Sequence, residues 1–505
     1  MKGDILMSII DAKAIRTIST PWSSSLPEKE FTVEDPSTSE VTARVKGSSP
    51  EDVDRAIVAA NEVFEKDWRW RDFFERAGIL QECARIIEQN AEEIAELESL
   101  EMGKPFTQAM NDVRACINTF KMFSAHSYNL PSSIKEEGSV MNLCVLEPYG
   151  VVGGIVPFNW PPIHTAGKIA PALAVGNSVV LKPPEQAPSS IVRIVELINT
   201  ILPENLVNVV CGFGDVGAAI ATHPLVRMVS FTGSPRTGAM VLKSLAQNFT
   251  PSIMELGGKN PIIIFDDADI EVAIPWVIDG AFYNQGEACT AASRILVHSS
   301  LEDKLIESLK AAVPKLKVGD PMDRRTHVGP LVTSAQQKVV MDYIEIGVNE
   351  GAVIAAQAPV PTEEKYKNGC WAPPTLFVNV RPDMRIAKEE IFGPVTAVIP
   401  FDTYEEAIEI ANGTEFGLVA GVFSKNFETC WRASRELKCG LVLANNFNRV
   451  LNNGGTPHGG VKASGFGREH TLDTVREFGH TKTLRIPTGI GRETPKWFAV
   501  AEVLE

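Results

Sequence analysis

At 505 residues the chain is too long for one ordinary core, so two or three domains are expected. Apolar residues make up 44% and charged residues 22%, which is too apolar for disorder, and no run approaches the roughly eighteen consecutive apolar residues of a membrane span. A formal net charge of −15 argues against nucleic acid as the main partner, because a duplex is held by Lys and Arg on its phosphates.

The first residues, M-K-G-D-I-L-M-S-I-I-D-A-K, hold one short apolar run broken by Asp11. They carry no leader-cleavage pattern, and Met7 is an alternative start. Residues 36–50 read as an extended, turn-rich segment. S-P-E-D at 49–52 then opens a helix, with Ser49 as N-cap, Pro50 in the first position and acids in the first turn. Val53, Ile57, Ala60 and Phe64 give it one apolar face. A second helical stretch is predicted from Phe73 to Glu101, ending before Gly103 and Pro105.

From residue 138 the pattern changes. G-S-V-M-N-L-C-V-L-E-P-Y-G reads as a strand pair. V-V-G-G-I-V-P, a helix over 161–175, S-V-V-L-K-P, a helix over 189–201, L-V-N-V-V-C-G, a helix over 215–222 and M-V-S-F-T-G-S follow in order. Strands alternating with helices indicate a parallel α/β sheet, and ligands of such sheets sit beyond the carboxyl ends of the strands. The residues to watch are therefore Pro157 to Trp160, Lys182 to Glu185 and Phe231 to Ser234. A second α/β pattern begins near Lys259 and continues through I-L-V-H at 295–298, A-V-I-P-F near 400 and G-L-V-L-A-N-N near 443. The strand signal T-K-T-L-R-I-P at 481–487 closes the series.

The eight cysteines are scattered, none in a C-x-x-C pair, and no Cys/His cluster has zinc spacing, so no metal site is expected. Most read as buried thiols in a reducing cytosol, so a cytoplasmic location is expected. G-F-G-D-V-G at 212–217 is a literal dinucleotide fingerprint, but no Asp or Glu occurs between Asp215 and Glu255 to hold a ribose. It is better read as a glycine-rich turn. F-T-G-S-P-R-T-G at 231–238 is a better phosphate candidate, since a helix leaves it with free N–H groups; an ordinary strand-to-helix turn explains it equally. In M-E-L-G-G-K-N-P, Glu255 lies between apolar residues beside two glycines, where partial burial would raise its pKa and suit a general base. Cys289, in N-Q-G-E-A-C-T-A-A-S, has small neighbours; a nucleophilic thiolate and a packed thiol both fit the stretch.

Seven collinear motifs join these residues: P-F-N-W-P at 157–161, V-L-K-P-P-E at 180–185, F-T-G-S-x-x-x-G at 231–238, E-L-G-G-K at 255–259, G-x-x-C at 286–289, E-E-I-F-G-P at 389–394 and G-G-V-K-x-S-G-x-G-R-E at 459–469. In them the chain resembles the aldehyde dehydrogenase superfamily, in its NAD(P)-dependent, acid-forming branch, from about residue 30 to 487. The resemblance implies an α/β fold of three parts. A Rossmann-like cofactor domain would span 1–129 and 149–256, an α/β catalytic domain 257–470, and a small β oligomerisation arm 130–148 and 471–490. It also implies a homodimer or homotetramer and a small-molecule aldehyde as substrate.

By the same resemblance, Cys289 is the nucleophile that passes through a thiohemiacetal and a thioester. Asn159 meets the developing oxyanion with the Cys289 backbone N–H, Glu255 activates the hydrolytic water, and Lys168 relays protons. Lys182 and Glu185 meet the adenosine ribose, with Glu185 favouring NAD over NADP, although NADP remains possible. Ser234 meets the pyrophosphate, Phe231 and Gly233 belong to the same cofactor site, and Glu390 and Phe392 position the nicotinamide ribose and ring. Two other readings stay open: a CoA-acylating semialdehyde dehydrogenase, which Glu255 disfavours, and a cofactor-free cysteine hydrolase or non-catalytic relative, which the cofactor motifs disfavour.

Several residues depart from the family pattern. Glu287 stands where Gln is common and reads as a structural variant. Thr290 follows the nucleophile where some branches carry Cys. Phe158 and Trp160 swap the aromatics around Asn159, and His458 replaces an apolar residue near the substrate tunnel. Gly167 replaces a bulky aromatic, so a wider entrance and aromatic or bulky aldehydes are expected.

Overall fold

A computed structural model describes residues 14–138, 140–447 and 456–488. The start region with Met7 and the last two residues assigned to the arm lie outside the described residues.

Helix Pro50–Lys66 begins as its capping signature predicts. Ser49 Oγ accepts from the Asp52 N–H at 3.3 Å, and the Asp52 carboxylate accepts from the Ser49 N–H at 2.8 Å. Val53, Ile57 and Ala60 of this helix pack with Val151, Ile155 and Val180 of the neighbouring sheet. The stretch predicted as one helix from Phe73 to Glu101 is two, Phe73–Gln89 and Ala91–Met102. The break falls at Asn90, whose side-chain amide donates to the Ile86 carbonyl at 2.7 Å. An Asn that bonds its own local backbone competes with the helix ladder, and periodicity alone does not register this.

The central sheet has five parallel strands in the spatial order Val207–Val209, Ser178–Lys182, Val151–Ile155, Val226–Thr232, Ser252–Glu255. Helices Pro161–Val175, Ser189–Asn199, Gly214–Thr222 and Pro235–Leu245 make the crossovers. Every residue of Val151–Ile155 and Ser178–Lys182 is buried, as parallel strands covered on both faces require. Strand order reverses at Val151–Ile155, which places a topological switch point beyond Ile155. The short strand Gly465–Phe466 caps the far edge by pairing antiparallel with Met254 and Glu255.

A second sheet of seven strands holds Asn260–Ile264 and Ala292–His298 at its centre, with Val395–Phe401, Thr375–Val378, Val419–Phe423 and Leu441–Ala444 parallel around them. Val353–Gln357 is its antiparallel edge. A third sheet joins distant parts of the chain: Val140–Pro148 pairs with Ser132–Glu137 on one side and with Gly479–Pro487 on the other. All six side chains of Ser132–Glu137 are exposed. Phe31 and Val33 belong to a smaller N-terminal sheet built from Arg16–Ile18, Glu30–Asp35 and Glu40–Lys46.

Candidate active site

The loops beyond the switch point meet the second sheet around a cavity of about 450 Å³. From the first sheet it takes Asn159, Lys182, Glu185, Phe231, Gly233 and Ser234; from the second unit it takes Cys289, Gln336, Glu390 and Phe392. Nine of the eleven residues singled out in the sequence therefore border one space. Lys168 and Glu255 are absent from its lining. None of the glycine-rich residues 212–217 lines it either; Gly214 to Gly217 are the first residues of helix Gly214–Thr222 rather than a turn.

Cys289 is partly exposed and sits on irregular backbone that other residues hold in place. Asn284, Gln285 and Gly286 have φ of +56, +54 and +68. Two consecutive non-glycine residues in the left-handed region cost roughly 1–2 kcal/mol each, so the surroundings must impose the turn. Asn284 supplies part of that constraint: its side-chain amide donates to the Asn159 carbonyl at 3.1 Å and to the Glu287 carbonyl at 2.9 Å. On the other side of Cys289, the Asn260 amide donates to the Cys289 carbonyl at 2.7 Å and the Ala291 carbonyl at 2.9 Å, while its oxygen accepts from the Val419 N–H at 3.0 Å. A Cβ at Gly258 would lie 2.3 Å from the Cys289 carbonyl oxygen, so only glycine lets the two backbones approach this closely.

Asn159 is fixed from below. Lys104 is fully buried; its ammonium pairs with Glu98 and Asp112 and donates to the Asn159 carbonyl at 2.9 Å. Sequence reading missed Lys104, Asn260 and Asn284. A lone lysine is usually a solvated surface residue, and the only hint at 104 is its place between Gly103 and Pro105.

Glu255 ends the strand Ser252–Glu255 and is buried. Burial and the nearby charge of Glu469 raise its pKa well above the ordinary carboxyl range, with Lys168 and Arg468 opposing. Its Oε2 lies 3.9 Å from His458 Nε2, and neither carboxyl oxygen has a hydrogen-bond partner. Lys168, on Pro161–Val175, donates to Ser230 Oγ at 3.0 Å, Thr232 Oγ1 at 2.9 Å and Glu469 Oε1 at 3.2 Å. Burial alone would raise the Glu469 pKa, but the paired ammonium of Lys168 chiefly outweighs it, and the value comes down to about 2.

The other residues of the cavity make bonds that suit a dinucleotide. Lys182 Nζ donates to the Pro183 carbonyl at 3.0 Å and to Glu185 Oε2 at 3.3 Å. Ser234 caps Pro235–Leu245, its Oγ accepting from the Thr237 N–H at 3.2 Å, so a helix start faces the same space as Gly233 and Thr237. Glu390 accepts from the Gly258 N–H at 2.9 Å, and burial, only partly offset by that bond, raises its pKa to about 7. Phe392 meets Phe158 edge-on at 5.8 Å.

Two departures resolve structurally. Glu287 is buried and turned away from the cavity; its Oε1 accepts from the Val332 N–H at 3.1 Å. The room left by Gly167 is taken up: a Cβ there would lie 3.2 Å from His470 Cε1. The widening expected at 167 is therefore filled by the His470 imidazole. Among the described residues no group of three or more His, Cys, Asp or Glu is placed to hold a metal ion, and no helix is long and apolar enough to cross a membrane.

Comparison with known proteins agrees with this architecture. The aldehyde dehydrogenase family model matches residues 22–484. The chain is 45% identical to the aldehyde dehydrogenase citD of Monascus ruber, over 95% of this chain and 96% of the relative. It is 37% identical to mouse (Mus musculus) retinaldehyde dehydrogenase 3, over 93% and 92%. Among solved structures it is similar to the betaine aldehyde dehydrogenase of Staphylococcus aureus in complex with NAD+, at 35% identity and a TM-score of 0.90, with 94% of each chain covered. It is likewise similar to an NAD+ complex of an aldehyde dehydrogenase from Bacillus cereus, at 38% identity and a TM-score of 0.88, covering 91% of this chain and 93% of the other. With the family model spanning nearly all of it and relatives matching end to end, the chain belongs to the aldehyde dehydrogenase family.

Proposed function

We propose that the protein oxidises an aldehyde to the carboxylic acid with NAD, with Cys289 as nucleophile and Glu255 as the base for hydrolysis. The observation that carries this is the single cavity in which Cys289 and Asn159 lie with Lys182, Glu185, Ser234, Glu390 and Phe392. The residues fit the cofactor: a Lys–Glu pair suits ribose hydroxyls, a helix start suits a pyrophosphate, and the buried carboxyl of Glu390 suits a second ribose. Complexes of two structural neighbours with NAD+ support the same cofactor. Glu185 would repel a 2′-phosphate, which favours NAD over NADP.

In the reaction, the Cys289 thiolate adds to the aldehyde carbon, and the negative charge moves to the aldehyde oxygen as a thiohemiacetal. The Asn159 side-chain amide and the Cys289 backbone N–H donate to that oxygen. Bound NAD supplies the hydride acceptor. Collapse of the oxyanion leaves a thioester on Cys289. Glu255 takes a proton from water, whose oxygen attacks the thioester and releases the acid and the thiolate. Lys168, paired with Glu469 and electrostatically coupled to Glu255, offers the proton a buried route away. The domain limits given by the resemblance, with the three-stranded sheet as an oligomerisation arm, belong to this proposal. The exposed edge Ser132–Glu137 supports it, because such an edge is paired or covered in stable assemblies.

NADH formation across a panel of aldehydes tests the reading. Cys289→Ala should abolish it, and Glu255→Gln should give a burst of NADH followed by slow turnover as the thioester accumulates. Unchanged steady-state turnover in Glu255→Gln removes Glu255 as the base. Thioester product on adding CoA would favour the acylating alternative instead.

A further inference from the structure

Behind Glu255 lie three buried histidines that no step above uses. His164 stands on Pro161–Val175, one turn before Lys168. His458 and His470 come from the C-terminal segment, where His458 and Glu469 form an antiparallel bridge. The His458 and His470 rings are 6.3 Å apart, and His458 Nε2 is 3.9 Å from Glu255 Oε2. His470 covers Gly167. On the other side of the group, the Trp160 and His164 rings are 6.4 Å apart.

The three imidazoles are exposed by only 7%, 8% and 3%, yet each keeps an unpartnered nitrogen: both ring nitrogens of His164, and Nδ1 of His458 and His470. Trp160 Nε1 is buried and unpartnered as well. Buried polar atoms in a folded protein are normally bonded, because leaving them without a partner is costly. These five atoms form a patch of unused hydrogen-bonding capacity that meets Glu255 through His458. Burial lowers the pKa of all three histidines, that of His458 to about 4, so the rings are neutral and each offers one donor and one acceptor. Glu469 is already committed to Lys168, and Arg468 spends its Nη1 on the Gly460 and Gly467 carbonyls, so the free polar atoms of the group are neutral ones.

We infer that Trp160, His164, His458 and His470 form a substrate subsite for an uncharged oxygen substituent, so that the substrate class is hydroxyl- or carbonyl-bearing aldehydes rather than plain hydrocarbon ones. This rests on the assignment of Cys289 and Glu255, since the subsite is placed by its contact with Glu255. A site built to bond a polar group rejects the analogue that lacks it, because its buried partners are then left unsatisfied. A hydrocarbon tail in this position would leave the imidazoles as they are.

The test compares kcat/KM for benzaldehyde with that for its 2-, 3- and 4-hydroxy isomers at saturating NAD. In the unmodified enzyme at least one isomer should exceed benzaldehyde by about tenfold or more. In His164→Leu and His458→Phe, each checked for an unaltered thermal transition, that ratio should fall several-fold, mainly through KM. The ratio in the unmodified enzyme stands as evidence even if a variant fails to fold. Ratios near one for every isomer overturn the subsite while leaving the oxidation of aldehydes intact, and so does a ratio unchanged in both folded variants. If no aldehyde gives NADH, the reading of Cys289 and Glu255 fails and the subsite falls with it.

Discussion

Gly258 and Cys289 touch through their backbones: a single added carbon at Gly258 would lie 2.3 Å from the Cys289 carbonyl oxygen. The position of Cys289 is thus set by a glycine thirty-one residues away in the chain. Gly258→Ala should displace the Cys289 loop and lower kcat by about a hundredfold, the usual cost of misplacing a reacting group by about an ångström. Thiol labelling and circular dichroism would confirm a folded protein with its cysteine present. Full activity in Gly258→Ala would show that the loop yields without loss.

The pKa of Glu255 is raised chiefly by burial and by Glu469. A base acts only when ionised, so thioester hydrolysis should slow as pH falls through that raised value. The limb should lie above the ordinary Glu range of about 4.3. Single-turnover hydrolysis measured against pH should show it, and Glu255→Gln should abolish it.

Cofactor choice should turn on Glu185, which is only partly buried and accepts from Lys182 at 3.3 Å. Glu185→Ser removes the carboxylate and leaves Lys182 to meet a 2′-phosphate. The ratio of kcat/KM for NADP to that for NAD should rise by about tenfold or more. An unchanged ratio would mean that the selectivity is set elsewhere in the cavity.

Glu287 and Glu469 should affect acid stability in opposite senses. The folded pKa of Glu287 is raised, chiefly by burial and only partly relieved by the Val332 N–H. Keeping its proton in the folded state costs stability that grows as pH rises from its unfolded value of about 4.3. Glu287→Gln should therefore raise Tm more at pH 8 than at pH 5 and leave the chemistry intact. A collapse of kcat would instead give Glu287 a catalytic role. The folded pKa of Glu469 is lowered to about 2 despite its burial, chiefly because Lys168 holds its charge. Its contribution is full above the unfolded value and is lost as pH falls from about 4.3 towards about 2. Acid unfolding of Glu469→Gln should accordingly be less steep over that window than in the unmodified protein.

These residues also show how much the sequence carries. The parallel sheet was legible, because buried strands alternating with amphipathic helices leave a pattern, and so was the strand-end placement of Asn159, Lys182 and Ser234; the strand Ser252–Glu255 that ends on Glu255 was not. Cys289 was legible only as one member of a collinear set, since its neighbours suit a packed thiol equally well. The supports were not legible. Lys104, Asn260 and Asn284 act through backbone carbonyls far from them in the chain, and nothing in their local sequence marks a polar side chain as buried. Gly167 misled for a related reason: an absent side chain reads as space, but His470, more than three hundred residues later, fills it.

The short strand Gly465–Phe466 carries a consequence for biogenesis. It lies on Met254 and Glu255, while Ser464 accepts from the Leu256 N–H at 3.1 Å and its hydroxyl donates to the Gly257 carbonyl at 2.7 Å. The edge that carries Glu255 is therefore finished by residues synthesised about two hundred positions later. While the ribosome is still making the second sheet, this edge is bare, and the half-built protein presents an unpaired strand to other nascent chains. A chain stopped at residue 455 should be cleaved near Ser252–Glu255 by a protease that spares the full chain, and should need a chaperone to stay in solution.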